Sequence, residues 1–349
     1  MNLSFFRDKR VFVTGHTGFK GSWLSHLLVS AGAEVTGYAL PPNTEPALFD
    51  IIGLHKNMNS ILGDIRDYDM LKETFDVTQP EIVLHLAAQP IVREGYADPR
   101  YTYETNVMGT VNLLECIRLS NCVKSFLNVT TDKVYENREW MWGYRENEPL
   151  NGYDPYSNSK SCSDILTQCY RRSFLEQTDI PASTARAGNV IGGGDFANDR
   201  IIPDCVRAAL EDRKIVVRNP HSVRPYQHVL EPVCAYLEIA RLQYEHPELA
   251  DAYNVGPYES DCIATGELVD MFCTAWGGIS WVNRHDGGPH EANFLKLDCS
   301  KITKTLGWRP KWHIGDAIAK TVEWVRAYQN GYDMGRFMNS QIADYVNQE

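Results

Sequence analysis

Three glycines near the start of the chain constrain its fold more than any other feature. Gly15, Gly18 and Gly21 are spaced Gly-x-x-Gly-x-x-Gly, between a strand-like run at 10–14 and an amphipathic segment at 18–31. Glycine permits the positive φ of a tight turn, and the N-terminus of the helix that follows can bind an anionic pyrophosphate. The position predicts a dinucleotide site. A purely structural turn is the alternative.

Short apolar runs alternate with amphipathic segments through the first half of the chain. The predicted strands are 10–14, 34–38, 60–62, 81–86, 125–129 and 182–186, and the predicted helices are 18–31, 68–75, 101–119 and 156–175. This alternation predicts an α/β fold with a Rossmann-type, doubly wound parallel sheet. We expect a nucleotide-binding domain over 1–186, which takes further elements from about 225–260.

The second half has a looser pattern, and we expect a smaller C-terminal substrate-binding lobe over 187–349. Its predicted helices are 201–210, 231–244 and a closing segment at 297–325, with strands at 215–217 and 252–255.

Composition excludes several classes of function. The 349 residues carry 34 basic and 45 acidic side chains, a net charge of −11, so we expect no nucleic-acid partner. No apolar run is long enough for a membrane span. The nine cysteines contain no Cys-x-x-Cys pair, which favours reduced thiols in a cytoplasmic protein. The histidines show no metal-ligand spacing, so we expect no metal.

Tyr156 and Lys160 are the strongest catalytic candidates. They are four residues apart and share one face of a predicted helix. A lysine cation lowers the pKa of a neighbouring phenol, which makes the tyrosine a base for a sugar hydroxyl. Thr131 ends the fifth strand nearby. A solvated helix face is the alternative.

The end of the second predicted strand gives no indication of which nicotinamide cofactor binds. An acidic residue there usually binds the ribose hydroxyls of NAD, but residues 38–42 read Tyr-Ala-Leu-Pro-Pro. No arginine or lysine stands there for the 2′-phosphate of NADP either. From these residues the choice stays open.

These motifs resemble the extended short-chain dehydrogenase/reductase superfamily, and within it the CDP-glucose 4,6-dehydratase family. The resemblance covers 10–40, 80–110, 125–160, 184–207 and 217–232. Its most specific stretches are GHTGFKGSWL (15–24), YENREWMWGYRE (135–146), ARAGNVIGGGD (185–195), DRIIPD (199–204) and RNPHSVRPYQHVLE (218–231). One departure is Val134, where the family pattern has cysteine.

The resemblance implies NAD as cofactor and CDP-glucose as substrate, converted into CDP-4-keto-6-deoxyglucose and water. It also implies a homodimer or dimer of dimers, built on the helices at 101–119 and 156–175. The implied cofactor contacts are Gly15, Thr17, Gly18, Phe19, Lys20, Gly21, Asp64, Ile65, Leu86, Ala87, Ala88, Gln89, Asn106, Thr130, Tyr156 and Lys160. For Asp64, a loop carboxylate or helix cap is the alternative.

The resemblance also assigns roles in the reaction. Tyr156 takes the C4 hydroxyl proton with Thr131 in the relay, Asp132 protonates the C6 hydroxyl, and Lys133 removes the C5 proton. A lysine base must be neutral, so its pKa would need lowering; a surface ion pair of Asp132 and Lys133 is the alternative. The implied substrate contacts are Gln89, Arg93, Thr131, Asn189, Arg200 and Arg224. Surface ion pairs are the alternative for the arginines.

Other functions of the same fold remain open at this point. A 4-epimerase or reductase shares Tyr156 and Lys160 but has no need of Asp132 and Lys133. A non-catalytic NAD sensor has no reason to keep Thr131, Tyr156 and Lys160 together. A 4,6-dehydratase for a dTDP-, UDP- or GDP-sugar differs only in the base, and one sequence identifies no base-reading residue.

Overall fold

The computed structural model describes residues 1–284 and 293–348. Its strands are β1 (Arg10–Thr14), β2 (Glu34–Ala39), β3 (Asn59–Leu62), β4 (Ile82–His85), β5 (Ser125–Val129), β6 (Ala182–Ala187), β7 (Val190–Ile191), β8 (Ile215–Val217), β9 (Val223–Pro225), β10 (Gln227–His228), β11 (Ala252–Val255), β12 (Cys262–Ala264) and β13 (Trp281–Asn283).

The α-helices alternate with the strands in the first half and cluster toward the end of the chain. They are α1 (Phe19–Ser30), α2 (Leu48–Ile51), α3 (Tyr68–Thr78), α4 (Val92–Ala97), α5 (Pro99–Tyr103), α6 (Gly109–Arg118), α7 (Pro155–Tyr170), α8 (Ile201–Leu210), α9 (Leu230–Glu245), α10 (Thr265–Trp276), α11 (Ser300–Leu306), α12 (Ile314–Gln329) and α13 (Met334–Asn347).

A seven-stranded parallel sheet forms the centre of the molecule, in the order β11-β6-β5-β4-β1-β2-β3. Every residue of β4, β5, β6 and β11 is buried, because helices cover both faces of the sheet. The strand order reverses between β1 and β4, and such a switch point opens a crevice at the carboxyl ends of the strands. The predicted Rossmann-type fold is confirmed.

The edge strand β11 comes from the second half of the chain. It pairs with β6 in the register Ala252↔Thr184. The helix α9 packs against β5, and Ser125 Oγ donates a hydrogen bond of 2.8 Å to the Ala240 carbonyl of that helix. The main sheet is therefore completed by residues beyond 186. The rest of the second half contributes the strand pairs β7–β10, β9–β12 and β8–β13.

Several elements differ from the sequence-based prediction. The predicted helix at 101–119 is α5 and α6 joined by a π-helical turn, Glu104–Met108. The predicted closing segment at 297–325 is two helices, because Gly307 ends α11 with a φ of 73° and Pro310 follows. The prediction also missed α4, α10 and α13.

The C-terminal helix α13 is anchored by a buried carboxylate. Glu231, at the start of α9, accepts hydrogen bonds from the backbone N–H groups of Lys311 (3.0 Å) and Trp312 (2.7 Å) and from the Tyr345 hydroxyl (2.6 Å). Burial nevertheless raises the pKa of Glu231 from 4.5 to about 7. The protonated carboxyl is therefore favoured in the folded state.

Stability is expected to fall as Glu231 ionises. A pKa raised on folding contributes stability that is complete below pH 4.5 and is lost as the pH rises through about 7. The contribution amounts to about 3 kcal/mol in total. Denaturant unfolding near pH 5 and near pH 8 should show Glu231→Gln gaining on the wild type at the higher pH. Glu238→Gln, which alters an ion pair with Arg241 on the same helix, is the control. An equal difference at both pH values would contradict the assignment.

Candidate active site

A cleft of about 310 Å³ opens beyond the carboxyl ends of β5 and β6. Segments of the Rossmann half form one wall, and the segment after β6 with β8 and β9 forms the other. Most of the predicted catalytic and substrate residues meet in this cleft: its lining includes Lys20, Arg93, Thr130, Thr131, Asp132, Lys133, Tyr156, Asn189, Arg200 and Arg224.

Tyr156 is held in the first turn of α7. Asp154 caps this helix by accepting a hydrogen bond of 3.0 Å from the Ser157 N–H, and Pro155 occupies the first helical position. The phenol and the Thr131 side chain line the same cleft. Burial raises the pKa of Tyr156 to about 12, while Thr131 and the Arg200 charge act to lower it. Tyr156 and Thr131 therefore bring two hydroxyl groups to one cleft, where they are suited to relay a proton.

Lys160 lies one turn further along α7, but its ammonium points to the sheet. Nζ donates a hydrogen bond of 2.8 Å to the Val129 carbonyl at the end of β5. Burial, together with the Lys20 charge, lowers the pKa of Lys160 to about 7. The sequence predicted a lysine cation that lowers the pKa of Tyr156. In the folded chain burial outweighs that effect, because it disfavours the charged forms of both side chains.

Asp132 combines complete burial with an available carboxyl oxygen. It lies in a 3-10 turn, Asp132–Val134, that follows β5. Oδ1 accepts a hydrogen bond of 3.0 Å from Thr131 Oγ1, and within the described residues Oδ2 has no hydrogen-bond partner. Burial raises the pKa of Asp132, opposed by Lys133, Thr131, Arg224 and Lys20. A buried carboxyl with a raised pKa is suited to donate a proton.

The neighbouring Lys133 is half-buried in the same lining. Its backbone N–H lies 3.4 Å from Thr131 Oγ1, in the cap of the same 3-10 turn. This turn therefore directs three consecutive side chains toward one cleft.

Several basic side chains line the cleft near Tyr156 and Asp132. Arg200 pairs with the buried carboxylate of Asp195 at 3.2 Å. Lys20, expected as a cofactor contact, lines the same cleft, and burial with the Arg200 charge lowers its pKa to about 8. Arg224 is almost fully buried, and its Nη1 donates a 2.9 Å hydrogen bond to the Val223 carbonyl. Such a set of cations is suited to a diphosphate.

The glycine turn forms a cradle at the switch point. A Cβ on Gly15 would lie 2.7 Å from the Ala87 nitrogen, and one on Gly21 would lie 2.0 Å from the Gly15 oxygen. The packing of the chain itself therefore requires both glycines. A Cβ on Gly18 would meet only the Gly15 oxygen, at an ordinary 3.6 Å. Gly18 thus leaves the helix N-terminus open to a ligand.

The loop that carries the implied cofactor contacts Asp64 and Ile65 is held by local contacts. The Asp64 carboxylate accepts hydrogen bonds from the Arg66 backbone at 2.9 Å and from its guanidinium at 2.6 Å. Ile65 is buried against Gly109, where an added Cβ would lie 2.5 Å from its side chain. These contacts fix the loop beside the cradle.

Gln89, predicted as a contact of both cofactor and substrate, has its amide held by hydrogen bonds within the chain. Its amide nitrogen donates a 2.8 Å bond to Thr102, and its amide oxygen accepts a 2.5 Å bond from the Ile91 N–H. Asn106 binds the backbone of Gln89 at both ends, and its amide also reaches Ser159. Both side chains therefore connect the strand end to helices beneath the site, and the substrate role of Gln89 stays a prediction.

Sequence reasoning missed a buried ion pair below the site. Arg186 on β6 donates hydrogen bonds of 2.9 Å to both oxygens of Asp164 on α7. A third bond, also 2.9 Å, reaches the Tyr135 hydroxyl, and Thr130 Oγ1 donates to Asp164 at 3.1 Å. The network fixes the segment after β5 relative to α7. An arginine within a wholly buried strand was the available signal, because such an arginine needs a charged partner.

Across residues 1–284 and 293–348, no three His, Cys, Asp or Glu side chains are grouped in a way that could hold a metal ion. Over the same ranges, no helix has both the length and the apolar character to span a membrane.

The relationship of the chain to known proteins follows from a family model. The model described as GDP-mannose 4,6 dehydratase matches residues 12–321. The chain belongs to the GDP-mannose 4,6 dehydratase family. The chain is 48% identical to one curated relative, a CDP-glucose 4,6-dehydratase of Salmonella typhimurium, and the alignment covers 99% of this chain and 98% of the relative. It is 28% identical to a mouse dTDP-D-glucose 4,6-dehydratase, covering 91% and 89%.

Several solved structures share the fold of the chain, although their sequences are less similar to it than those of the curated relatives. A dTDP-glucose 4,6-dehydratase from Bacillus anthracis in complex with NAD superposes with a TM-score of 0.77 and 22% identity, covering 93% of this chain and 99% of that one. A UDP-glucuronic acid 4-epimerase from Bacillus cereus, with UDP-glucuronic acid and NAD, gives 0.80 and 21%, covering 91% and 99%. These similarities show a common fold.

Proposed function

We propose that the protein is an NAD-dependent CDP-glucose 4,6-dehydratase, a lyase that forms CDP-4-keto-6-deoxyglucose and water. The observation that carries the proposal is the placement of the Tyr156 phenol and the Thr131 hydroxyl beside the buried carboxyl of Asp132 in one cleft. Oxidation at C4 needs only the phenol and the hydroxyl, whereas loss of the C6 hydroxyl needs an acid as well. The likeness to the Salmonella CDP-glucose enzyme supports the substrate.

The glycine cradle fits a dinucleotide. Gly15–Gly21 would hold the pyrophosphate at the start of α1, with Asp64 and Ile65 beside the adenine and Lys160 near the reacting ring. NAD, when bound, accepts hydride from C4 of the sugar and returns it to C6. No lysine or arginine lies in residues 38–42, where the 2′-phosphate of NADP would need one. No acidic residue for the ribose hydroxyls of NAD lies there either, so the support for NAD comes from the NAD complexes among the structures that share the fold.

The side chains of the cleft divide the proton transfers between them. Tyr156 takes the C4 hydroxyl proton, with Thr131 orienting that hydroxyl. Asp132 delivers a proton to the C6 hydroxyl as it leaves as water. Arg200, Arg224 and Asn189 bind the diphosphate and ribose, and Arg93 faces the sugar side of the lining.

Lys133 is proposed as the base that removes the C5 proton and that gives a proton back to C5 once hydride has returned to C6. Its replacement by alanine is expected to slow exchange of the C5 hydrogen with D₂O at least about tenfold, while the release of hydride from C4 continues. The measurement is NMR of the C5 position during turnover, with Lys124→Ala, a surface lysine before β5, as the control. Full exchange in the Lys133 variant would remove this role.

Gly18→Ala tests the cradle without requiring turnover. The added methyl fits the chain, since its nearest neighbour is the Gly15 oxygen at 3.6 Å, so the melting temperature is expected to stay unchanged. It would crowd a bound pyrophosphate and weaken NAD binding about tenfold in calorimetry. Gly315→Ala, in a similarly roomy helical position, is the control. Unchanged NAD affinity would contradict the placement.

A panel of CDP-, UDP-, dTDP- and GDP-glucose tests the function as a whole. We expect the alkaline chromophore of a 4-keto sugar with CDP-glucose well ahead of the others, and loss of one water by mass spectrometry. A product of unchanged mass would indicate a 4-epimerase instead. A preference for another nucleotide-glucose would overturn the assignment of CDP-glucose as the substrate.

We propose a homodimer, or a dimer of dimers, as the assembly. Met108 before α6, Ile165 on α7 and Phe174 just beyond it are exposed apolar side chains on adjacent helical segments, and such faces favour association of two copies. Light scattering tests the mass. All nine cysteines are free thiols, which supports a cytoplasmic location.

A further inference from the structure

A polar pair lines the cleft at a distance from the reacting groups. Asp204 lies on α8 and Arg218 follows β8, and the guanidinium Nη2 of Arg218 is 3.4 Å from Asp204 Oδ2. Arg218 also pairs with Asp199 at 2.8 Å. Neither Asp204 nor Arg218 has a part in the proton transfers proposed above.

The helix α8 extends the lining of the cleft from Arg200 away from the proposed catalytic residues. Arg200, whose charge acts on Tyr156, is the residue that precedes α8. Asp204 follows one turn later, with its N–H bonded to the Arg200 carbonyl at 2.9 Å, a displacement of about 5 Å along the axis. A substrate with its sugar at Tyr156 and its diphosphate at Arg200 would therefore reach Asp204 with its base.

Apolar side chains flank the pair. Val216 is the exposed residue of β8, and it lines the cleft together with Val217 and with Pro203 of α8. Flat apolar walls with a few polar groups at the edge are the usual form of a site for a planar ring.

The hydrogen-bonding capacity of Asp204 leaves room for a ligand. An ionised carboxylate offers about four acceptor positions. Among residues 1–284 and 293–348, two side chains reach it, Arg207 at Oδ1 and Arg218 at Oδ2. The pair thus presents an acceptor beside a donor at the wall of the cleft.

Cytosine carries the complementary edge. Its exocyclic N4 amine donates and the adjacent ring N3 accepts, and a carboxylate is the common protein partner of that amine. Uracil and thymine carry the reverse order, an O4 acceptor beside an N3 donor. Against these bases the Asp204 carboxylate would face an oxygen, and a buried polar mismatch discriminates strongly.

We propose that Asp204 accepts from the N4 amine of the cytosine base while Arg218 donates to its N3, so that this pair sets the preference for a cytidine nucleotide. This assignment rests on the proposed function, since it presumes a nucleoside diphosphate sugar in the cleft. It deepens that function by naming the residues that select the base.

Binding of CDP and UDP, measured by calorimetry without turnover, tests the assignment. The wild type is expected to prefer CDP. Asp204→Asn keeps the shape of the side chain but adds an amide donor, and it should reduce the CDP-over-UDP affinity ratio about tenfold or more. Arg218→Gln should reduce it in the same direction. Glu211→Gln, which removes a carboxylate at the end of the same helix outside the cleft lining, should leave the ratio unchanged.

The outcomes separate the two proposals. A wild-type preference for CDP that persists in both Asp204→Asn and Arg218→Gln would overturn base reading by this pair and leave the function standing. No CDP preference in the wild type, together with turnover of another nucleotide-glucose, would overturn both. If Asp204→Asn fails to fold, the Arg218→Gln ratio alone decides.

Discussion

Tyr156→Phe is expected to lower kcat for CDP-glucose by about 10³- to 10⁴-fold, the upper part of the range for loss of a positioned general base. The phenylalanine ring fills the same half-buried space at the start of α7, so the fold should be retained. What is lost is the phenolic oxygen that is proposed to take the C4 hydroxyl proton. NAD affinity should change far less than kcat, because the phenol is only one of the implied cofactor contacts.

The measurement is steady-state formation of the 4-keto product, with NAD affinity and the melting temperature measured on the same preparations. Tyr153→Phe is the matched control, because Tyr153 is 80% exposed just before the same helix. A Tyr156→Phe enzyme within about tenfold of the wild type would show that another group takes the C4 proton.

Asp132→Asn is expected to reduce product formation by about 10²- to 10⁴-fold through a different step. The amide cannot give a proton to the departing C6 hydroxyl, whereas oxidation at C4 uses Tyr156 and should continue. After the reaction is quenched, borohydride traps the 4-keto-glucose nucleotide by reducing its ketone. The trapped sugar therefore reports oxidation at C4 without a deuterium label. The ratio of trapped glucose-type to 6-deoxy-type sugar should rise in the variant.

Glu136→Gln is the control for this experiment, because Glu136 is an exposed carboxylate in the same segment and pairs with Arg138. If Asp132→Asn loses C4 oxidation and water loss to the same extent, the carboxyl serves the relay as a whole. The role of a separate acid at C6 would then be wrong.

The parts of the fold that depend on local pattern were predictable. Buried parallel strands are continuous apolar runs, and each predicted strand of the main sheet appears within one or two residues of its expected bounds. The glycine turn was also predictable, because close approach to Ala87 and Gly15 leaves no room for a side chain. The grouping of Thr131, Asp132 and Tyr156 followed from the position of parallel strand ends at one edge.

The parts that depend on distant partners were not predictable from one sequence. Lys160 shares a helix face with Tyr156, yet its partner is a carbonyl on β5, which spacing along α7 cannot reveal. The sequence likewise does not reveal that the Gln89 amide is hydrogen-bonded to the Thr102 side chain and to the Ile91 N–H. Likewise, α13 depends on Glu231, more than a hundred residues earlier, and Asp204 meets Arg218 only when α8 and β8 come together.

The origin of β11 has a consequence for biosynthesis. While the ribosome has made only the first half of the chain, β6 presents an open row of backbone donors and acceptors, and exposed edges of this kind promote intermolecular pairing. The edge closes only after residues 252–255 leave the exit tunnel and pair with Thr184 and its neighbours. A gene truncated after residue 186 would therefore be expected to yield inclusion bodies rather than a free nucleotide-binding module. Nascent chains of intermediate length would be natural clients for chaperones.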